Sequence, residues 1–335
     1  MNNTFGIDLG TSTINVYNHS KRTILTEKNM IAIENKNSLF AYGDSAFDMY
    51  EKAPMNINVS FPLNNGVIAD IKNMQVLLKY FINDASEGNY KGADYYIAVP
   101  TDVTEVEKRA FYDLIKESNM KAKNIYCVEK AIADGIGLGI DVLSSQGVMI
   151  VDVGYNTTEI SILSLGGIVL SKLIKTGGLK FDEAIKSTIR KEYNLLVGYK
   201  SAEKIKFELN ELKKNKQNAI IYGRDVVNGL PVEREVSTAK IDEALSEHFN
   251  SIINNIKYIL ERTPPELAAD IYRNGLFLTG GGSLVTDFAK CVAKGTGLKV
   301  NLAEKAGETV ILGISEIIKN KKFRKVTYSI ERTDK

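Results

Sequence analysis

Apolar residues fall in short unbroken or alternating runs along this chain, and several runs end on glycine or a hydroxyl-bearing turn. The first, Phe5-Gly6-Ile7-Asp8-Leu9, stops at Gly10-Thr11-Ser12-Thr13 and resumes with alternation at Ile14, Val16 and Tyr17. This predicts strand, turn, strand over roughly the first 30 residues. A small irregular segment is expected from Ile31 to Gly66. From Val67 the spacing turns helical, with Met74, Leu77, Leu78, Tyr80 and Phe81, and the run Tyr95-Tyr96-Ile97-Ala98-Val99 before Pro100 reads as a buried strand. Thr104 then opens a helix through a capping box with Glu107, and Val106, Ala110, Phe111 and Leu114 form its expected inner face.

The second half repeats the pattern. Met149-Ile150-Val151-Asp152-Val153 leads into Gly154-Tyr155-Asn156-Thr157-Thr158, with strands expected near 148–152, 157–164 and 167–174 and a helix from about Phe181. Helical spacing returns over 201–214 and 240–262. The strand Leu276-Phe277-Leu278 runs into Thr279-Gly280-Gly281-Gly282-Ser283 before another helix. Three glycine- or hydroxyl-rich loops therefore sit at strand ends, where open α/β sheets bind their ligands.

Two of those loops share the order apolar strand, Asp-x-Gly, hydroxyl turn. Glycine lets backbone N–H groups approach phosphate oxygens, hydroxyls donate further bonds, and an Asp at the strand end can hold the water shell of Mg²⁺. One copy alone would be an ordinary tight turn. Two copies predict facing phosphate-binding hairpins.

Composition narrows the classes. A length of 335 residues allows about two domains. The net charge of +2 argues against a nucleic-acid protein that binds by bulk electrostatics. Cys127 and Cys291 lie in apolar or helical contexts and read as packing residues in a reducing cytoplasm. No apolar run long enough to span a membrane and no signal peptide is visible. There is no Gly-x4-Gly-Lys-Ser/Thr loop, and Gly135, Gly137 and Gly139 lack the spacing and preceding strand of a dinucleotide fingerprint, so close helix packing is the expected reason for them.

A longer set of motifs points to a family. Gly6-Ile7-Asp8-Leu9-Gly10-Thr11 is followed by Pro62-Leu63-Asn64-Asn65-Gly66-Val67-Ile68-Ala69-Asp70, then by Val99-Pro100-Thr101 with Val106-Glu107-Lys108-Arg109-Ala110. Ser164-Leu165-Gly166-Gly167-Ile168-Val169, Gly223-Arg224-Asp225, and Thr263-Pro264-Pro265-Glu266-Leu267-Ala268-Ala269-Asp270-Ile271 with Leu278-Thr279-Gly280-Gly281-Gly282 complete the series. The chain resembles the actin, Hsp70 and sugar-kinase superfamily and, within it, the MreB family of bacterial actins, over nearly its whole length. The resemblance implies an α/β, actin-like fold of two α/β lobes, each with a smaller subdomain, around an interlobe nucleotide cleft. The expected subdomains are 1–31 with 67–144 and 312–335; 32–66; 145–179 with 245–311; and 180–244.

The implied ligand is ATP or ADP with Mg²⁺. Gly10, Thr11, Ser12 and Thr13 would meet the phosphates from one lobe, and Gly154, Asn156 and Thr157 from the other. Asp8 and Asp152 would face the metal through water. Glu203 and Lys206 match family positions near the ribose and base, and Gly280, Gly281, Gly282 and Ser283 would lie along the adenosine.

The chain departs from the family where it matters for hydrolysis. The family's water-positioning Glu, followed by Pro, aligns with Lys130 and Ala131. A charged lysine accepts no hydrogen bond and cannot orient or deprotonate water as a carboxylate does, so weak or absent turnover is expected. Glu129 in a shifted register, or Asp134 one turn on, are the substitutes left open; Lys130 itself is left open between a place near the γ-phosphate and solvent. Thr157 matches a threonine that in the family assists proton transfer. Tyr155 and Asn156 replace two glycines of the second phosphate loop, which is expected to alter its geometry.

By the same resemblance the chain would form homopolymeric filaments, with paralogues as further partners, for cell shape at the inner face of the membrane. The basic run Lys319-Asn320-Lys321-Lys322-Phe323-Arg324-Lys325 is a candidate contact for anionic lipid, with a solvated tail as the alternative. Met1 to Thr4 is no amphipathic helix, and the loop Ser86 to Lys91 offers one aromatic, Tyr90. The Asn-, Lys- and Ile-rich composition fits a diverged paralogue from a wall-less bacterium. Two rivals are a small-molecule kinase of the same superfamily, for which no acceptor pocket is visible, and an Hsp70-like chaperone module, for which no peptide-binding domain follows.

Overall fold

The computed structural model describes residues 3–36 and 38–330. Two large sheets carry the architecture. The first is ordered Thr327–Tyr328, Asn124–Glu129, Asp94–Val99, Thr4–Leu9, Thr13–Asn18, Thr23–Lys28, and the second Gly167–Ile174, Thr158–Ser164, Val148–Val153, Leu276–Thr279, Val300–Leu302. In both, three parallel strands continue into an antiparallel meander, so the second sheet repeats the first apart from the added Thr327–Tyr328 edge. The repeat extends to register: Asp8 faces Asn15 across the first hairpin, and Asp152 faces Glu159 across the second.

Each sheet buries its own apolar cluster. Phe5, Leu77, Phe81, Tyr95 and Phe111 belong to the first, and Met149, Phe181, Phe249 and Phe288 to the second. A third cluster, including Ala98 and Val128 of one sheet and Val148 and Ile150 of the other, joins them through the helices Lys130–Gly137 and Thr309–Lys319. Those helices touch backbone to backbone. A Cβ on Gly137 would lie 1.9 Å from the Thr309 carbonyl oxygen, and one on Gly313 would lie 1.8 Å from that of Ala133. Close packing thus accounts for Gly137, and for Gly135 against Val142. Gly139 is different: it has open space around it and terminates the helix region at φ +76°.

Several local expectations change. The segment from Ile31 is a small folded unit, with strands Ile31–Glu34, Ser38–Tyr42 and Ile57–Ser60 and the helix Gly43–Met49. Val67–Ile68 pairs with Leu63–Asn64, and the helix begins only at Ile71, where the Asp70 carboxylate accepts from the Asn73 N–H. The capping box of Thr104 and Glu107 is present, and Phe111 and Leu114 are buried as expected, together with Tyr112 and Ile115, but Val106 is 79% exposed. The basic run is no tail. Phe323 and Val326 are buried, Thr327–Tyr328 adds a strand to the first sheet, and Lys319, Lys321, Lys322, Arg324 and Lys325 are exposed around that anchor. Tyr90 is only 8% exposed and its carbonyl accepts from the Tyr95 hydroxyl, so that loop presents no aromatic to a membrane. Of Met1 to Thr4, Met1 and Asn2 lie outside the described residues.

A second small unit carries the sheet Leu195–Leu196, Ala219–Asp225, Pro231–Val236 with the helices Gly178–Tyr193 and Tyr199–Lys214. The two small units meet. The Glu51 carboxylate accepts from the Tyr199 N–H at 2.7 Å and lies 3.6 Å from Lys186, while Lys200 sits over the Phe47 ring. Among the described residues no helix is long and apolar enough to cross a membrane.

Candidate functional site: the cleft between the two sheets

The carboxyl ends of the parallel strands of both sheets open into one cleft of about 560 Å³. Strand Thr4–Leu9 delivers Asp8 and the turn Gly10, Thr11, Ser12, Thr13; strand Val148–Val153 delivers Asp152, Gly154 and Thr157; strand Leu276–Thr279 delivers Gly280, Gly281 and Gly282. All of these line the cleft, as do Lys130, Glu203 and Lys206. Only glycine fits at position 280, because at φ +82° a Cβ would stand 2.1 Å from the Asp152 carboxylate. Gly281 has nothing within 4 Å of its would-be Cβ, so the loop leaves open space on its cleft side.

Three expected residues are placed otherwise. The Asn156 side chain donates to Asn64 Oδ1 and does not line the cleft; neither Tyr155 nor Asn156 adopts positive φ, so the lost glycines cost the loop no strain. Tyr155 packs its ring against Phe61 and closes the cleft wall. Ser283 is buried, with its hydroxyl donating to the Gly280 carbonyl oxygen at 2.6 Å, and it braces the glycine loop from behind. Glu129 faces the other way: its Oε1 accepts from Lys108 at 2.7 Å and from the Tyr328 hydroxyl at 2.9 Å. That removes it as a substitute for the missing carboxylate.

Lys130 points into the cleft. It is the first residue of its helix, and its Nζ lies 2.7 Å from Asp152 Oδ2. Burial works to lower its pKa, but the charges of Asp152, Asp8 and Asp134 override it and hold the ammonium firmly protonated. Asp8 is raised by burial, against the pull of Lys130 and of the Asn15 amide that donates to it at 3.1 Å. Asp134 is pushed well up by burial and by Asp152; its Oδ1 accepts from the Thr309 hydroxyl at 2.6 Å, and it does not line the cleft. Glu159, opposite Asp152, is pushed up to about 7 by burial. One ammonium therefore serves four buried carboxylates.

That arrangement bears on the expected metal. Asp8 and Asp152 both line the cleft where a divalent ion's water shell was expected, but the Lys130 ammonium already holds Asp152 at 2.7 Å. The donor set does not fit a divalent metal while Lys130 keeps this position.

Sequence reasoning missed part of the cleft. Glu304-Lys305-Ala306-Gly307-Glu308 forms a fourth wall between strand Val300–Leu302 and helix Thr309–Lys319; its signal was a glycine after a strand, before an apolar helical run. Thr309, hydrogen-bonded to Thr279 at 2.7 Å, ties that wall to the glycine loop. Phe207 and Leu284, both about half exposed, offer flat apolar surface in the cleft, and helical spacing alone gave no sign of Phe207. Lys206 is buried against Asp182 at 2.8 Å, so its charge is already matched. Burial pushes the Cys127 thiol up to about 12, and the partly buried Cys291 is raised for the same reason, so neither is set up as a thiolate.

Residues 2–326 match the family model described as MreB/Mbl protein. The cell shape-determining protein Mbl of Bacillus subtilis is 36% identical over 319 residues, covering 94% of this chain and 95% of that one. The cell shape-determining protein MreB of Escherichia coli is 33% identical over 311 residues, covering 90% and 89%. Among solved structures, MreB 5 of Spiroplasma citri bound to AMPPNP superposes with a TM-score of 0.90 at 36% identity, covering 96% of this chain and 97% of that one. The MamK double helical filament, at 22% identity and a TM-score of 0.78, shares the fold. The actin-like fold expected from the sequence is thereby shown.

Proposed function

The chain belongs to the MreB/Mbl family, and from that premise we propose that it is a nucleotide-dependent, filament-forming bacterial actin that binds ATP and ADP and turns ATP over weakly or not at all. The observation that carries this reading is Lys130, which lines a cleft walled by phosphate-type loops from both sheets and stands where a water-orienting carboxylate is required. The Spiroplasma citri relatives solved with AMPPNP and ADP support an adenine nucleotide as the ligand.

In this reading Gly10 to Thr13 and Gly154 with Thr157 contact the phosphates, and Gly280 to Gly282 border the adenosine beside Glu203. Phe207 and Leu284 provide apolar faces for the base. Asn156 and Ser283 support their loops from outside the cleft. The protein acts in the cytoplasm at the inner face of the membrane, in cell shape, through copies of itself and of paralogues, with the exposed cations around Phe323 meeting anionic lipid. The kinase reading has no comparable support: a second cavity among the described residues, about 390 Å³ around Tyr96, Tyr126 and Arg324, shares no residue with the cleft. The test is one preparation assayed for ATP and ADP affinity, phosphate release, and sedimentation with and without anionic liposomes. Tight nucleotide binding with filaments and little phosphate release is the expected result. Rapid phosphate release, or no filaments at any nucleotide, would refute it.

A further inference from the structure

Resting on the nucleotide reading, we propose that Lys130 is a tethered cation in place of a divalent metal, so that this cleft takes ATP and ADP without depending on Mg²⁺. Its position is over-determined. A lysine at the first residue of a helix has the wrong sign for the helix dipole, and only a partner of opposite charge makes it favourable there. Here Asp152 is in contact at 2.7 Å, with Asp8 and Asp134 also acting on the ammonium and Glu159 across the hairpin from Asp152. The helix cannot slide to release it, because Gly137 and Gly313 lock its far end backbone to backbone against Thr309–Lys319.

The charge balance points the same way. Asp8 and Asp152 line the cleft floor with acid, and Lys130 adds one positive charge to the same lining, which also holds Thr11 to Thr13 and Thr157. A divalent ion approaching Asp152 must displace the ammonium from its 2.7 Å contact or sit beside a like charge. An ammonium is a compact point charge with three N–H donors, suited to both a carboxylate and a phosphate oxygen. The polyphosphate therefore finds in Lys130 one tethered positive charge, where a divalent metal would bring two. Glu129 is held by Lys108 and Tyr328 and offers no replacement acid.

The experiment measures ATP and ADP affinity of the full chain by calorimetry, with Mg²⁺ and with EDTA, for wild type, Lys130→Met and Lys130→Glu. Wild-type affinity should change by less than about threefold on chelation, while both variants should lose about tenfold or more in EDTA. Nucleotide-induced shifts in the wild-type melting temperature, with and without chelator, give the same answer should a variant fail to fold. A wild type that loses about tenfold or more on chelation would overturn the proposal. No binding under either condition would refute the nucleotide reading itself and the proposal with it.

Discussion

Glu159 should make this protein less stable as the solution turns from acid to neutral, and Glu159→Gln should remove the effect. Glu159 is 5% exposed; its Oε2 accepts a long bond from the Thr101 N–H at 3.4 Å, and its Oε1 has no partner. Burial therefore dominates over Lys130 and raises it from 4.5 to about 7. In the unfolded chain the group ionises near its ordinary value, so between the two values the native state holds more protons and stability falls as pH rises. The full penalty above neutrality is about 3 kcal/mol, of which about 1 kcal/mol is already present at pH ~5.5. Glutamine keeps the acceptor for Thr101 and cannot ionise. Its stability advantage over wild type should thus grow by roughly 2 kcal/mol between pH ~5.5 and ~8.5, whatever constant offset the new amide adds. Loss of the Glu159 charge also eases ionisation of Asp134, which acts in the same direction. Urea unfolding of nucleotide-free protein across that range reads the slope directly. A gap that stays constant, or narrows toward alkaline pH, would show that Glu159 is ionised in the native state at no penalty.

Three further outcomes follow from other contacts. Lys206→Met leaves the Asp182 carboxylate buried without its 2.8 Å partner and should destabilise by about 3–5 kcal/mol, while Lys206→Met with Asp182→Leu should recover at least half of the loss in the same unfolding assay. Gly313→Ala places a methyl against the Ala133 carbonyl oxygen and should cost about 3 kcal/mol or more, whereas Gly229→Ala, in an open surface turn, should cost about 1 kcal/mol; equal effects would mean the helix pair yields easily. Lys321, Lys322 and Lys325 changed together to Ala should weaken binding to anionic vesicles by up to about 3 kcal/mol at low salt without altering the melting temperature. Truncation after Ile318 is a poor substitute for that test, because it also removes Phe323, Val326 and the Tyr328 bond to Glu129.

What the sequence disclosed followed from local rules, and what it hid depended on distant partners. The two Asp-x-Gly hairpins, the glycine loop at 280–282 and the Thr104 box are set by backbone geometry within a few residues, so their residue types betray them. The exposure of Val106 and the strand pairing within Ile31–Ser60 do not follow from spacing along the chain, because their faces are chosen by the surrounding fold. The cleft shows the same division. Lys130 was legible as a departure, but its meaning was not: Asp134 is its neighbour on the same helix, whereas Asp8 comes from the first hairpin and Asp152 and Glu159 from the second, and these meet it only through the packing of two sheets and one helix pair. Position 130 is therefore more than a lost carboxylate. On the proposed reading, a base at position 130 in place of an acid reverses the charge the cleft offers to a metal, so that one position bears both on which water can be activated and on which cation the nucleotide requires.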